Sequence, residues 1–323
     1  MYTTLRNRLI RDAILQAVYA EMKKDASIYI MGEGASMKVH FDAPMIEREF
    51  PDRVITFPIS EDGNTNFAVG ASLMGMKPIV DVITADFIYR TMDAICNTAA
   101  KINFVSGGVD KPKTVVIKSE FMTAGPTTGQ RVEALFTHIP GLNVVVPSTP
   151  YDAKGLMATT LTSPGVTIFF EDREISDKTT KQSDMVNPDY YKIPFGSAKV
   201  RRKGENLTIV SYAVTVRTAE SVIDEYDISC DLIDLRSLYP VDYDTLYESV
   251  RKTGKLLIVE PDVTYAGVGA EISANISENC FNDLKKPVMR LGAPRTTIPA
   301  SARLHKQLIP AEEQILQAIR RLQ

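Results

Sequence analysis

The sequence predicts an α/β protein built from two doubly wound domains. Three observations carry this. Short, continuous apolar runs recur along the chain and alternate with segments of helical period. Such runs are strands buried on both faces, and strands separated by helices form a parallel sheet with helices on either side. The length, 323 residues, suits two units of roughly 130–190 residues better than one. Finally, residues 172–195 are polar and lack a clear period, which fits a connection between units. The division expected is 1–185 and a smaller unit, 186–323.

In the first unit, residues 4–23 place Leu9, Ile10, Ala13, Ile14, Ala17 and Val18 at helical spacing, an amphipathic helix. Ser27-Ile28-Tyr29-Ile30-Met31 is a strand that runs into the loop Gly32-Glu33-Gly34, and Val54-Ile55-Thr56-Phe57 is a second strand. After Glu61-Asp62-Gly63-Asn64, the small residues of the stretch 67–75 predict a helix packed closely on its neighbours. A strand at 77–83 and a helical stretch at 86–104 follow. Strands are expected at 114–117, 142–147 and 166–171, with a helix at 151–161 between the last two. The second unit has strands at 207–211, 230–235, 255–260 and 288–291 and helices near 215–226, 242–252, 268–284 and 310–322. Arg201-Arg202-Lys203, followed by Gly204, reads as a solvated turn.

Composition narrows the function. Hydrophobic residues make up 44% and charged residues 24%, enough for each unit to bury a core. Thirty-seven basic residues against 40 acidic give a net charge of −3, which points away from nucleic acid and membrane surfaces. Cys96, Cys230 and Cys280 are far apart and form no metal-ligand or disulfide pattern, so a reducing, cytoplasmic setting is expected. His40, His138 and His305 are equally scattered, so no histidine metal site is expected. No apolar run approaches the roughly 20 residues of a membrane span, and the N-terminus lacks the apolar core of a signal peptide.

Several motifs, in order and at consistent spacing, carry a family resemblance. They are Met31-Gly32-Glu33, Pro58-Ile59-Ser60-Glu61-Asp62-Gly63, Gly75-Met76-Lys77-Pro78-Ile79-Val80, Asn97-Thr98-Ala99-Ala100-Lys101 and Ser106-Gly107-Gly108. Beyond these come His138-Ile139-Pro140-Gly141-Leu142, Pro147-Ser148-Thr149-Pro150-Tyr151-Asp152-Ala153-Lys154-Gly155-Leu156, Asp234-Leu235-Arg236-Ser237-Leu238-Tyr239-Pro240-Val241-Asp242 and Gly267-Val268-Gly269-Ala270-Glu271-Ile272. Nearly end to end, the chain resembles the beta subunits of thiamine-diphosphate-dependent 2-oxoacid dehydrogenases of the pyruvate, branched-chain and acetoin types. More distantly it resembles the C-terminal two-thirds of transketolase. The resemblance implies a pyrimidine-binding, transketolase-like domain followed by a transketolase C-terminal domain.

It also implies roles for individual residues. Glu61 matches the carboxyl that hydrogen-bonds the cofactor's aminopyrimidine. A carboxyl placed there favours the imino form of that ring, which takes the proton from the thiazolium carbon. An apolar setting at the C-terminal edge of a parallel sheet is expected for it. Phe87 matches an aromatic residue against the same ring, and Glu33 a loop acid near the cofactor.

Relatives carry a catalytic histidine in the loop that reads Gly125-Pro126-Thr127-Thr128-Gly129-Gln130-Arg131 here. Thr127 and Thr128 stand at the candidate positions, and threonine does not shuttle protons near neutral pH. Gln130 and Arg131 remain as candidates for an anionic substrate group, since a guanidinium suits a carboxylate or phosphate. His138 reads as a structural residue of its turn. The loop Ser163-Pro164-Gly165 lacks the side chains with which relatives bind potassium, so no metal is expected.

No segment fits the family's diphosphate and magnesium motif; Asp62-Gly63-Asn64-Thr65-Asn66 lacks its leading glycine and its spacing. Thiamine diphosphate is therefore expected with its magnesium held by a partner alpha subunit, in an α2β2 assembly. Helices near 66–76 and 268–280 are candidates for buried contact. The activity expected is cleavage or formation of a C–C bond next to a carbonyl, on a 2-oxoacid or ketose. Loss of the loop histidine favours an aldehyde acceptor over a lipoyl one. Two other readings stay open: the C-terminal subunit of a split transketolase, and a non-catalytic assembly subunit that keeps the fold.

Overall fold

A computed structural model describes residues 9–33, 44–108, 114–122, 125, 127–176, 178, 181 and 184–323. The beginning of the helix expected from residue 4, Gly34, His40, Pro126 and part of the expected linker lie outside the described residues.

Among the described residues the first layer is a seven-stranded sheet in the order β10 (Ser237–Tyr239), β5 (Leu142–Val145), β6 (Gly165–Asp172), β4 (Thr114–Phe121), β3 (Lys77–Thr84), β1 (Ile28–Gly32), β2 (Val54–Thr56). Its elements run α1 (Ile10–Lys24), β1 (Ile28–Gly32), α2 (Pro44–Glu49), β2 (Val54–Thr56), α3 (Glu61–Leu73), β3 (Lys77–Thr84), α4 (Ile102–Val105) and β4 (Thr114–Phe121). They continue α5 (Glu133–Thr137), β5 (Leu142–Val145), α6 (Pro150–Thr162), β6 (Gly165–Asp172) and α7 (Arg173–Ser176). The expected helix at 86–104 is three pieces: a 3-10 turn at Ala85–Thr91, a π-helix at Asp93–Ala99, then α4.

The second sheet runs β12-β11-β8-β9-β7. It is built from β7 (Lys199–Arg202), β8 (Thr208–Ser211), α8 (Val214–Tyr226), β9 (Asp231–Asp234), β10 (Ser237–Tyr239), α9 (Tyr243–Thr253) and β11 (Leu256–Val263). The chain then forms α10 (Val268–Asn279), β12 (Met289–Ala293), α11 (Ala302–His305) and α12 (Glu312–Leu322). Both sheets are parallel except for one strand each: β10 runs antiparallel to β5, and β7 antiparallel to β9.

Alternation along the central strands makes two cores in the first sheet. Val115 and Ile117 of β4 and Ile168 and Phe170 of β6 face the side of α3 and α5. Val116 and Phe169 face α1 and α6. The first core runs on without a break into Val210, Ile233 and Ile258 of the second sheet, so the two layers share apolar contact. The far side of the second sheet is closed by α8 and α12 around Ile209, Leu257 and Ile319. Local signals set the ends of helices. Thr149 accepts the Asp152 N–H at 3.1 Å with Pro150 in the first turn of α6, and Asp242 accepts the Thr245 N–H at 3.2 Å ahead of α9.

One expectation is corrected. Arg201 and Arg202 do not form a solvated turn but lie in β7, and Arg201 is buried against Asp184 at 2.8 Å and Glu220 at 3.2 Å. The second half of the expected linker packs on the first unit. Ile193 donates its N–H to the Gly155 carbonyl at 3.1 Å, and a Cβ at Gly155 would meet Ile193 Cγ1 at 2.6 Å. Gly155 thus admits the connecting segment onto α6.

Candidate functional site

The C-terminal ends of β1, β3, β4 and β6 converge on one edge of the first sheet, where crevices of open parallel sheets hold ligands. Each end delivers a polar residue. Gly32 closes β1 at a φ of +145°, where a Cβ would strike the Asp81 carbonyl oxygen at 2.6 Å. Only glycine lets β1 run this close to β3, and Glu33 follows it into a buried position, 9% exposed.

Glu61 is the first residue of α3, and a short loop joins it to the end of β2 at Thr56. Its side chain is only 10% exposed, and the Arg90 guanidinium stands 3.7 Å from Oε2. Among the described residues no hydrogen bond reaches that carboxylate. A carboxylate also sits well at a helix start, where free N–H groups favour negative charge. Phe87 and Arg90 lie on the 3-10 turn that leaves β3, and this turn packs on α3. Phe87 is half-buried against the first core. The structure therefore brings Glu61 and the Phe87 segment together.

The loop after β4 joins the same edge. Asp86, next to Phe87, accepts the Gln130 N–H at 3.0 Å, and burial raises the Asp86 carboxyl above the usual carboxylate range. Gln130 turns its own amide onto the Arg131 carbonyl at 3.2 Å. Thr127 is exposed and Thr128 half-buried.

Arg131 points inward. Its side chain is 9% exposed, bonded to Asp172 at 2.5 Å, 3.8 Å from Glu133, and stacked 4.1 Å over the Phe121 ring. Asp172 also accepts the Val214 N–H at 3.3 Å, so the pair ties the two sheets together. Behind it lie Glu260 and Asp262 at the end of β11. Burial pushes Glu133 and Glu260 up to about 7 and Asp262 up to about 6.

Asp86, Arg90, Asp172, Asp262 and His305 surround this edge without having been singled out in the sequence. Only Asp86 and Arg90 had a usable signal, their place beside Phe87 after an apolar strand. His138, at the C-terminal end of α5, is exposed. The three cysteines are unpaired, and no cluster of three metal-ligating side chains occurs among the described residues. No helix among them is long and apolar enough to cross a membrane.

Comparison with known proteins gives the same architecture. Residues 7–177 match the pyrimidine-binding domain of transketolase, and residues 196–315 match the transketolase C-terminal domain. The beta subunit of the pyruvate dehydrogenase E1 component of Rickettsia bellii is 34% identical over 322 residues, covering 97% of this chain and 98% of that protein. The 2-oxoisovalerate dehydrogenase beta subunit of Bacillus subtilis is 32% identical, covering 96% and 97%. The beta subunit of the acetoin:2,6-dichlorophenolindophenol oxidoreductase of Cupriavidus necator is 33% identical, covering 98% and 97%. A solved split-gene transketolase, an inactive β4 tetramer, superposes with a TM-score of 0.80 over 98% of each chain at 20% identity, a likeness of fold. With two transketolase-type domains in this order and relatives of this identity along its whole length, the chain belongs to the family of beta subunits of thiamine-diphosphate-dependent 2-oxoacid dehydrogenase E1 components.

Proposed function

We propose that this chain is the pyrimidine-side half of a thiamine-diphosphate enzyme that cleaves or forms a C–C bond next to a carbonyl of a 2-oxoacid or ketose. The observation that carries the reading is Glu61: a carboxylate 10% exposed, at the sheet edge, with no hydrogen bond from the described residues. That donor set fits an aminopyrimidine ring nitrogen. Glu61 holds the proton shared with that nitrogen, Phe87 supports the ring, and Glu33 lines the back of the site. The bound cofactor supplies the carbon nucleophile. Arg90, long and 75% exposed, moves aside as the ring seats.

The diphosphate and its magnesium belong to a partner alpha subunit in an α2β2 assembly. Supporting this, the part of the chain that would have to hold them, Asp62–Asn66, is wound into α3. The outer face of α3 is also apolar and bare. Gly63, Phe67, Gly70 and Met74 follow helical spacing along it, and Ile59 and Met74 are 82% and 87% exposed. Phe104, at 90%, is a further bare apolar residue of this domain. Large apolar residues left bare beside a half-built site fit a subunit contact.

Thr127 and Thr128 present the hydroxyls of the substrate-facing loop, which Gln130 and Arg131 hold in place. Without a loop histidine to pass protons, an aldehyde acceptor is favoured over a lipoyl one. The test is to co-purify the chain with a candidate alpha chain carrying Gly-Asp-Gly…Asn. Calorimetry would measure binding of thiamine diphosphate with Mg2+, and mass spectrometry the products from pyruvate with and without aldehyde acceptors. Tight binding and carboligation by the pair alone, with carboligation but not binding lost in Glu61→Gln, is the expected result. Equal binding by the isolated chain defeats the reading of a half site, and lipoyl acetylation without carboligation defeats the aldehyde acceptor.

A further inference from the structure

His305 ends α11 in the second domain and is 5% exposed. It faces the substrate-side loop of the first domain. A Cβ on Gly129 would lie 3.3 Å from His305 Nε2 and 3.1 Å from Ile298 Cγ2, so the imidazole edge rests on the Gly129 backbone. The other ring nitrogen, Nδ1, is buried and makes no hydrogen bond to the described residues. His305 lines a narrow cavity of about 30 Å³ together with Gly129, Gln130, Arg131, Asp172 and Asp262.

A buried imidazole with an unsatisfied nitrogen is destabilising relative to an apolar side chain of similar shape. A leucine there would pack more cheaply. Such breaches of the packing rules concentrate where a protein has a use for the group. From Gly129 the line of contact continues: Gln130 donates to Asp86 at 3.0 Å, and Asp86 precedes Phe87 on the turn that packs against α3 and Glu61.

We propose that His305 is a positioning residue of the active site: from the second domain it props the loop 127–131 at the height where substrate meets the cofactor. This rests on the reading of the Glu61 edge as a thiamine site. It acts through Gly129 and Gln130, not by touching the reacting atoms. Arg131 and Asp172 hold one side of the loop as a rigid pair, and His305 is the adjustable support on the other.

The test has two arms. In the isolated chain, hydrogen exchange of the 127–131 amides is followed by mass spectrometry in wild type, His305→Ala and His305→Gln. Exchange at least tenfold faster in His305→Ala, with β4 and β6 unchanged and His305→Gln intermediate, is expected. In the reconstituted enzyme, His305→Ala raises KM for pyruvate at least fivefold while Kd for thiamine diphosphate stays within twofold, and His305→Gln recovers part of the loss. If His305→Ala does not fold, Gly129→Ala pushes the same contact from the loop side and gives the same pattern. Unchanged loop exchange, or faster exchange throughout the sheet, overturns the proposal. So does an unchanged KM. A wild-type pair that binds no cofactor defeats the thiamine reading instead, and the exchange arm still decides whether His305 supports the loop.

Discussion

Replacing Arg131 with alanine separates two roles that the sequence alone cannot. If its guanidinium read an anionic substrate, the variant would fold normally and show only a raised KM. The structure makes it the counter-charge of Asp172 at 2.5 Å and Glu133 at 3.8 Å, both carboxylates about 1% exposed or less. Removing one partner of a buried pair costs about 3–5 kcal/mol, because the other charge is left unpaired. Asp172 keeps the N–H groups of Glu174 at 3.0 Å and Val214 at 3.3 Å, which places the loss near the lower end. At roughly 1.5 °C per kcal/mol for a chain of 323 residues, Arg131→Ala should lower Tm by about 4–5 °C. Neutralising the stranded charge should restore much of this, so Arg131→Met combined with Asp172→Asn should be more stable than Arg131→Ala. Thermal unfolding by circular dichroism reads both. A Tm within about 1 °C of wild type in Arg131→Ala, with KM alone altered, would refute the structural role.

Stability should fall as pH rises from about 5 to 7 and level off above. Burial holds Glu260 up at about 7 against an ordinary 4.5, so the folded chain keeps a proton that the unfolded chain has released, a difference of about 3 kcal/mol at most. Glu260→Gln, which can still accept the Gly269 N–H, should flatten that slope in a pH series of urea unfolding curves, and an unaltered slope removes Glu260 as its source. Glu61→Gln should leave Tm within about 1 °C and lower turnover of the reconstituted enzyme by about 10²–10⁴-fold; full activity would exclude the assigned role. Phe170→Ala, in the stacked pair with Phe121 at 4.8 Å, should destabilise by about 3–5 kcal/mol in the same urea assay. Met74→Asp should abolish association with the alpha chain in analytical ultracentrifugation while leaving Tm unchanged, and a complex that still forms would clear α3 of the contact.

The central strands were legible because they are continuous apolar runs, and nearly all lie where the runs lie. β7 was hidden because Lys199, Arg201 and Arg202 look solvated until Asp184, Glu220 and Asp224 are brought across from elsewhere in the chain. β10 was hidden because its partner, β5, is some 90 residues earlier. The helix at 86–104 kept its position and lost its regularity, since periodicity does not distinguish 3-10 and π turns from α. Glu61, Phe87 and Glu33 came from motif order. Arg131 was visible as a cation, but its partner Asp172 follows 41 residues later, and pairing at that range is a property of the fold. His305 offered no signal at all: a lone histidine in a polar stretch, made notable only by a glycine in the other domain.

The antiparallel strand β10 has a consequence for anyone who cuts this chain. It starts in the second half yet seals the β5 edge of the first sheet, with Ser237 opposite Val145 and Tyr239 opposite Val144. A fragment ending near residue 185 would expose the backbone of β5 as a raw edge, a template for stacking onto other copies. Such a fragment should therefore precipitate on its own and be kept in solution by supplying residues 186–323 in trans. The two halves are separate in architecture but joined in assembly, the second carrying a strand that the first needs to be finished.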